Sequence, residues 1–178
     1  MEHIIIEGPQ LRLRKAEERD IDYIMQLEED PENLKYIVPF SRECHLGVIR
    51  HGQDAMDVMV EERETGTPVG YVWVAGLTNE ANETEWTHVI IGEKGRGYGH
   101  ETMKLLKAWT FDLRKAHRAW MDCKEYNARA LHLYESEGMV REGLIRETLL
   151  TNGVYENLVI LGILDREYAA RKDKGLEL

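Results

Sequence analysis

The segment that most constrains the fold of this chain is residues 89–101, which read Val-Ile-Ile-Gly-Glu-Lys-Gly-Arg-Gly-Tyr-Gly-His-Glu. An apolar stretch typical of a strand leads directly into glycines at alternate positions, and a helix-forming segment follows. Glycines let the backbone turn tightly and approach a ligand closely, and the first turn of a helix offers free N–H groups to an anion. The segment therefore predicts a phosphate-binding loop, with Lys94 and Arg96 adding positive charge beside it.

The composition limits the partners of the chain. Its 178 residues suit one domain spanning residues 1–178, and a hydrophobic content of 43% is enough for a core. The formal net charge of −10 argues against nucleic acid or an anionic membrane surface as the main partner. The same charge is compatible with a cationic substrate such as a polyamine, although an acidic composition is more often found in proteins that bind no cation.

Neither metal binding nor membrane insertion is expected from the sequence. The two cysteines, Cys44 and Cys123, fit no metal-ligand spacing, so we expect reduced thiols and no metal. Residues 1–7 lack the basic region of a signal peptide, and no apolar run approaches the length of a membrane span. These features favour a cytoplasmic protein.

Hydrophobic periodicity predicts a mixed α/β chain. Helices are expected from Asp20 to Asp30 and over 41–51, 99–115 and 127–137, with residues 31–40 irregular and a charged helix or tail over 166–174. Strands are expected over 10–15, 55–61, 69–77, 85–91, 118–123, 142–150 and 154–164, the last two joined by an Asn152-Gly153 hairpin turn. A ligand cleft is expected where the strand over 85–91 enters the glycine loop.

Two common nucleotide-binding motifs fit the glycine loop poorly. A P-loop requires Lys and Ser or Thr where this chain has Tyr98 and Gly99. A dinucleotide-binding fingerprint requires Gly-x-Gly-x-x-Gly in the first strand-to-helix turn, whereas the spacing here is Gly-x-Gly-x-Gly in the middle of the chain. A nucleotide-phosphate enzyme is therefore a weak alternative.

A third motif fits better. Residues 94–99 resemble the Arg/Gln-x-x-Gly-x-Gly/Ala motif of the GNAT acyltransferase superfamily, with Lys94 in place of Arg or Gln. Residues 124–139 resemble the Asn-x-x-Ala-x-x-Leu-Tyr-x-x-x-Gly-Phe segment of that family, with Met139 in place of Phe. Residues 141–147 and the Asn152-Gly153 turn resemble the subgroup that contains ribosomal-protein-alanine and spermidine acetyltransferases. The resemblance is strong over 85–164 and weaker over 10–77, where only the order of elements matches.

The resemblance implies a GNAT-like fold with a mostly antiparallel, twisted sheet. That sheet is expected to splay at the strand that carries Val89, Ile90 and Ile91, with helices on both faces. It also implies acetyl-CoA as cosubstrate. The implied cofactor-binding residues are Val89, Ile90 and Ile91 for the pantetheine arm and thioester, Lys94, Gly95, Arg96, Gly97, Tyr98 and Gly99 for the pyrophosphate, and Asn127 for the pantetheine arm.

The implied chemistry is direct attack of an amine on the thioester, without an acyl-enzyme. Tyr134 matches the position of the family's general acid toward the thiolate. Glu85, at the start of the cofactor strand, is the first candidate for the base, and His88 and solvent are the others. Because side chains alternate along a strand, His88 is expected to face the side opposite to Glu85.

These features predict an N-acetyltransferase that acts on a primary amine, such as a protein N-terminus, a polyamine or another small amine. The alternative is a non-catalytic acyl-CoA-binding or sensor domain. The acceptor is expected to be selected by residues 28–50, whose acidic side chains either attract a cation or form a solvated helix end. Tyr36, Phe40 and Trp73 either line the acceptor pocket or belong to the core. A homodimer is compatible with the resembled subgroup.

Overall fold

A computed structural model describes residues 3–178 of the chain. Its strands are β1 Ile4–Glu7, β2 Leu11–Lys15, β3 Met56–Glu62, β4 Pro68–Ala75, β5 Glu83–Ile91, β6 Arg118–Lys124, β7 Val140–Thr151 and β8 Val154–Leu164. Its α-helices are α1 Ile21–Glu28, α2 Pro31–Leu34, α3 Arg42–His51, α4 Tyr98–Lys107, α5 Ala128–Ser136 and α6 Asp165–Asp173. Residues 85–164, over which the resemblance is strong, thus form most of β5, then α4, β6, α5 and the closing β7–β8 hairpin.

The strands form one sheet in the order β1-β2-β3-β4-β5-β6-β8-β7. All neighbours are antiparallel except β5 and β6, which run parallel. That parallel pair is short, since only Glu83, Thr84 and Glu85 of β5 have partners on β6. Beyond Glu85 the two strands diverge. The predicted splay at the strand bearing Val89–Ile91 is therefore confirmed.

Helices cover both faces of the sheet, as the resemblance implies. The larger core lies between the sheet and the helices α4, α5 and α6, and a smaller core lies under α1. Representative buried residues of the larger core are Trp86, Met103, Leu106, Met121 and Leu161. Those of the smaller core are Ile24, Leu27, Met59, Tyr71 and Ile90.

Local sequence signals explain several element ends. The Ser41 hydroxyl accepts a hydrogen bond from the Cys44 amide at 3.2 Å, so α3 begins where the sequence predicts. Asn152 and Gly153 have φ values of 50° and 80°, which is the left-handed pair that an Asn-Gly hairpin turn requires. Both predictions are confirmed.

Three segments differ from the prediction. Residues 31–34 form the short helix α2, because Asp30 caps it by accepting the Glu32 amide at 2.8 Å and Pro31 suits a first turn. The predicted helix over 99–115 changes from α to π geometry at Ala108–Leu113, where the Arg114 amide donates to the Trp109 carbonyl at 2.9 Å. Strand β1 was not predicted, because its run of isoleucines has no alternation.

Candidate active site

The main cleft of the molecule opens where β5 and β6 diverge. It has a cavity volume of about 770 Å³, a size typical of small-molecule sites. Side chains and backbone from α2, β5, the glycine loop, β6 and α5 line it. The cleft therefore lies at the position that the sequence predicts, beside the end of β5.

Most of the residues implied for the cofactor meet in this cleft. Those that line it are Val89, Ile90, Ile91, Lys94, Gly95, Gly97, Tyr98, Gly99 and Asn127. Arg96 is implied for the same role but is turned away. Its guanidinium donates to Glu93 at 2.9 Å, pairs with Glu62 at 3.0 Å and lies 4.8 Å from the centre of the Tyr98 ring.

The glycine loop has the geometry of an anion-binding turn. Gly95 and Gly97 have φ values of +87° and +78°, a region that side chains rarely adopt. Gly97 is the N-cap of α4, so the amides of Tyr98 and Gly99 begin the helix without intrahelical acceptors. Lys94 lines the cleft, and it has no ion-pair partner anywhere in residues 3–178. The loop thus offers N–H groups and one unpaired cation to a phosphate group.

Buried ionic contacts hold α4 in place behind the loop. The Glu101 carboxylate accepts hydrogen bonds from the backbone amides of Gln10, at 2.7 Å, and Leu11, at 2.9 Å. At the other end of α4 the fully buried Lys107 donates to the Glu137 carbonyl at 2.8 Å and to its carboxylate at 3.0 Å. These contacts fix the direction in which the helix presents its N-terminus.

The free edge of β5 is available to a ligand. From Trp86 onward β5 pairs with β4 alone, so the backbone groups on its other edge point into the cleft. This is the edge on which the resemblance places the pantetheine arm and the thioester oxygen. Backbone N–H groups there are suited to hold the oxygen as it gains negative charge.

A β-bulge at Thr87 changes which side chains face the acceptor side. Trp73 pairs with His88 but the next residue, Val74, pairs with Trp86, so Thr87 is the extra residue. Trp86 consequently belongs to the larger core, whereas His88 lies beside Trp73 and Ile90 on the opposite face. The prediction that His88 and Glu85 face opposite sides is wrong, because the bulge breaks the alternation on which it depended.

Glu85 lies near the closed end of the cleft, where β5 and β6 still pair. It is half-buried, and it is not among the residues that line the cavity. Burial raises the pKa of its carboxyl group, and repulsion from Asp122 and Glu83 adds to that increase. A raised pKa suits a proton acceptor, but Glu85 does not line the open cavity.

The general-acid candidate, Tyr134, lies on α5 and faces the cleft. Burial raises the pKa of its hydroxyl well above the ordinary value, and the neighbouring Cys123 and Asp122 add to this increase. The hydroxyl therefore stays protonated. No other side chain or backbone group in residues 3–178 hydrogen-bonds to that hydroxyl. Seven positions earlier, the Asn127 side chain caps α5 by accepting the Ala130 amide at 3.3 Å.

The acceptor side of the cleft carries a negative charge, Asp122, that the sequence did not identify. Asp122 lines the cavity from β6, has no hydrogen-bond or ion-pair partner in the described part of the chain, and has its pKa raised by burial. Glu32 on α2 also lines the cavity and pairs with Lys35. The signal that could have found Asp122 is alternation along β6, because Met121 and Cys123 belong to the larger core.

A buried polar cluster lies directly behind the acceptor side. It consists of Glu28, His45, Asp57, Tyr71 and His88, all less than 9% exposed. His45 Nδ1 lies 2.9 Å from Asp57 Oδ2, and His88 Nδ1 lies 2.8 Å from Glu28 Oε1. Although burial alone would raise the pKa of Glu28, the adjacent His45 and His88 side chains and the Tyr71 hydroxyl lower it to about 2. The sequence assigned Glu28 to a possible solvated helix end, but it is the centre of this cluster.

Two absences hold for the described residues. Residues 3–178 contain no group of three or more histidine, cysteine, aspartate or glutamate side chains arranged to hold a metal ion. None of the helices in this range has the length and apolar character needed to cross a membrane.

A sheet that splays beside an anion-binding glycine loop, with a tyrosine facing the gap, is the architecture of acyl-CoA N-acyltransferases. The acetyltransferase (GNAT) domain family matches residues 10–140, and this chain belongs to it. It is an N-acetyltransferase, and acetyl-CoA is its acetyl donor.

Known proteins of similar size match about nine tenths of the chain. Spermidine N(1)-acetyltransferase of Escherichia coli K12 is 22% identical over 165 residues, which are 90% of this chain and 89% of that protein. The enzyme of the same name from Vibrio cholerae is 25% identical over 92% of this chain and 98% of its own length. These relatives lend no support to a non-catalytic acyl-CoA-binding domain.

Solved structures share the fold. Spermidine N-acetyltransferase from Vibrio cholerae, in complex with CoA and spermine, superimposes with a TM-score of 0.81 at 24% identity, over 91% of this chain and 99% of that one. A GNAT-family acetyltransferase from Bacillus anthracis gives a TM-score of 0.77 at 20% identity, over 90% and 98% of the two chains.

Proposed function

We propose that this chain is a single cytoplasmic GNAT domain that transfers the acetyl group of acetyl-CoA to a primary amine of a polyamine. One observation carries the proposal: the cleft is lined both by an unpaired cation, Lys94 of the glycine loop, and by an unpaired carboxylate, Asp122 of β6. Lys94 and the amides of the glycine loop suit the phosphates of the donor. The Asp122 carboxylate, together with Glu32 of α2, which also lines the cavity, suits an acceptor with several ammonium groups. The names of the relatives point to the same substrate class.

Different residues of the cleft bind different parts of acetyl-CoA. The glycine loop holds the pyrophosphate, Asn127 and the free edge of β5 hold the pantetheine arm, and the thioester lies where β5 and β6 separate. The amine nitrogen attacks the thioester carbon, and the C–S bond breaks as the amide bond is completed. Tyr134 gives its proton to the departing sulfur and recovers a proton from the new amide nitrogen through water. Glu85, His88 and solvent are the candidates for taking the first proton from the ammonium group.

The test is steady-state turnover of acetyl-CoA with a panel of amines and with Asp122→Asn. We expect spermidine and spermine to be better acceptors than monoamines or peptides with a free N-terminus. In Asp122→Asn the KM for spermidine should rise about tenfold, because one desolvated ion pair of about 1–2 kcal/mol is lost. The KM for acetyl-CoA should not change. Asp173→Asn, at an exposed position on α6, is the matched control.

Two outcomes would contradict the proposal. One is a peptide N-terminus or a monoamine that is acetylated with a higher kcat/KM than any polyamine. The other is an unchanged KM for spermidine in Asp122→Asn, which would show that Asp122 does not bind the acceptor.

A further inference from the structure

His88 is the titratable side chain of the buried cluster that reaches the cleft. It lines the cavity from the face of β5 on which the acceptor must approach, and Asp122 faces the same side from β6. The side chain of His88 is 8% exposed, so one edge of the ring is accessible. Its Nε2 atom makes no hydrogen bond to any group of residues 3–178. A ring nitrogen therefore faces the cavity without a protein partner.

The other ring nitrogen is held by a carboxylate. His88 Nδ1 lies 2.8 Å from Glu28 Oε1, and Glu28 is completely buried. Since a carboxylate accepts and does not donate, Nδ1 carries the hydrogen in this contact. The neutral imidazole therefore has its lone pair on Nε2, toward the cleft. This is the same orienting role that a buried carboxylate plays behind a catalytic histidine in hydrolases.

The Glu28 carboxylate is itself fixed from several elements. The Tyr71 hydroxyl of β4 donates to Oε1, and the Phe40 amide donates to Oε2 at 3.1 Å. The Phe40 ring stacks on the His88 ring with centroids 4.8 Å apart and an angle of 28° between the planes. Both the direction and the plane of the imidazole are thus set before any ligand binds.

Charged groups face His88 from several elements. Glu28 faces it from α1, and Asp122 faces it from β6. Behind Glu28 stand His45 of α3, 3.7 Å from Oε1, and Asp57 of β3, which binds His45. Glu85 lies on its own strand, on the same face. Of the groups that touch His88 directly, Tyr71 is neutral and Glu28 is negative, so a positive ring is compensated at the point of contact.

We infer that His88 is the proton acceptor for the amine and that Glu28 is its positioning residue, an inference that rests on the proposed function. The acceptor enters as an ammonium ion beside Asp122. His88 Nε2 takes one proton from it and becomes an imidazolium, and the neutral amine attacks the thioester carbon. The N–C bond forms, the C–S bond breaks, and Tyr134 protonates the sulfur. The second proton of the nitrogen returns through water to Tyr134, and His88 releases the first to solvent, so each turnover yields one amide, one thiol and one proton.

The experiment compares His88→Gln, Glu85→Gln and His51→Gln with the wild type, using acetyl-CoA and the best polyamine of the panel. In His88→Gln, kcat should fall about 100-fold, the lower end of the range for a general base. The acetyl-CoA Kd from calorimetry should stay within about threefold. The fall in kcat should be smaller in Glu85→Gln than in His88→Gln. His51→Gln, at an exposed position, should not change kcat. The limb of the kcat/KM profile on the acidic side should disappear in His88→Gln and persist in Glu85→Gln.

A measurement on the wild type does not depend on any variant folding. The ¹⁵N shifts of the imidazole should show that neutral His88 carries its hydrogen on Nδ1. The opposite tautomer would overturn the inference, as would a kcat for His88→Gln within about threefold of wild type, or a larger loss in Glu85→Gln. In these cases wild-type turnover shows that the proposed function stands. A wild type that acetylates no amine would overturn both.

Discussion

At the scale of single residues, Tyr134 both packs in the core and lines the cleft. Its ring belongs to the larger core, while its hydroxyl faces the cavity and has no partner in the rest of the described chain. Buried tyrosine hydroxyls usually find a partner, so an unpartnered one in a ligand cleft marks a position kept for a ligand.

Tyr134→Phe should therefore separate chemistry from binding. We expect kcat to fall by about 10²-fold, because the thiolate loses its proton donor, while the acetyl-CoA Kd stays within about threefold. The measurements are steady-state turnover and calorimetric titration. Tyr155→Phe removes a hydroxyl from an exposed position on β8 and is the matched control. A Tyr134→Phe enzyme with wild-type kcat would remove this residue from its proposed role.

At the scale of elements, the glycine loop presents its backbone to the cleft. A Cβ atom at Gly97 would meet no atom within 4 Å, so the space in front of it is open to a ligand rather than filled by protein. The positive φ adds a cost of about 1–2 kcal/mol for any side chain there.

Gly97→Glu should abolish acetyl-CoA binding in calorimetry, because it places a bulky negative charge at the proposed site of the pyrophosphate. Gly143→Glu is the matched control, since Gly143 on β7 also has open space around its Cβ position. We expect the control to retain wild-type affinity. Retained affinity in Gly97→Glu would show that the loop is not the phosphate site.

The sequence predicted the elements whose signals are local. The glycine loop, the Ser41 cap and the Asn152-Gly153 turn depend on neighbouring residues, and each lies where it was expected. The face of the sheet on which His88 lies could not be predicted, because the bulge at Thr87 is defined by pairing with β4. The sequence of β5 alone does not indicate it. The place of Glu28 could not be predicted for the same reason, because its partners come from strands and helices distant in sequence, whereas alternation along β6 could have identified Asp122.

At the scale of the whole molecule, the polar cluster under the acceptor side joins α1, α3, β3, β4 and β5. Such a cluster makes stability depend on pH. Burial alone would lower the pKa of His45, but its hydrogen bond to Asp57 and the attraction of Glu28 raise it from 6.5 to about 9. Because the pKa of His45 is higher in the folded state, protonated His45 stabilises the fold. This contribution is complete below pH 6.5 and is lost as the pH rises through 9.

The free energy of unfolding, measured with urea, should therefore fall by about 2–3 kcal/mol between pH 6.5 and pH 9. Toward acid, the lowered pKa of Glu28 gives a contribution that is present above 4.5 and lost as the pH falls through 2. His45→Gln should flatten the decline on the alkaline side, whereas His51→Gln should not. An equally steep decline in both variants would contradict the assignment to His45.

The carboxylate of Glu101 joins parts of the chain that lie 90 residues apart. It holds the amides of Gln10 and Leu11, and a methyl group at Gly8 would come within 2.6 Å of its Oε1 atom. The hairpin of β1 and β2 is thus a mechanical support for the first turn of α4. A random search for variants with weakened donor affinity should return positions in this hairpin, although none of them touches the ligand.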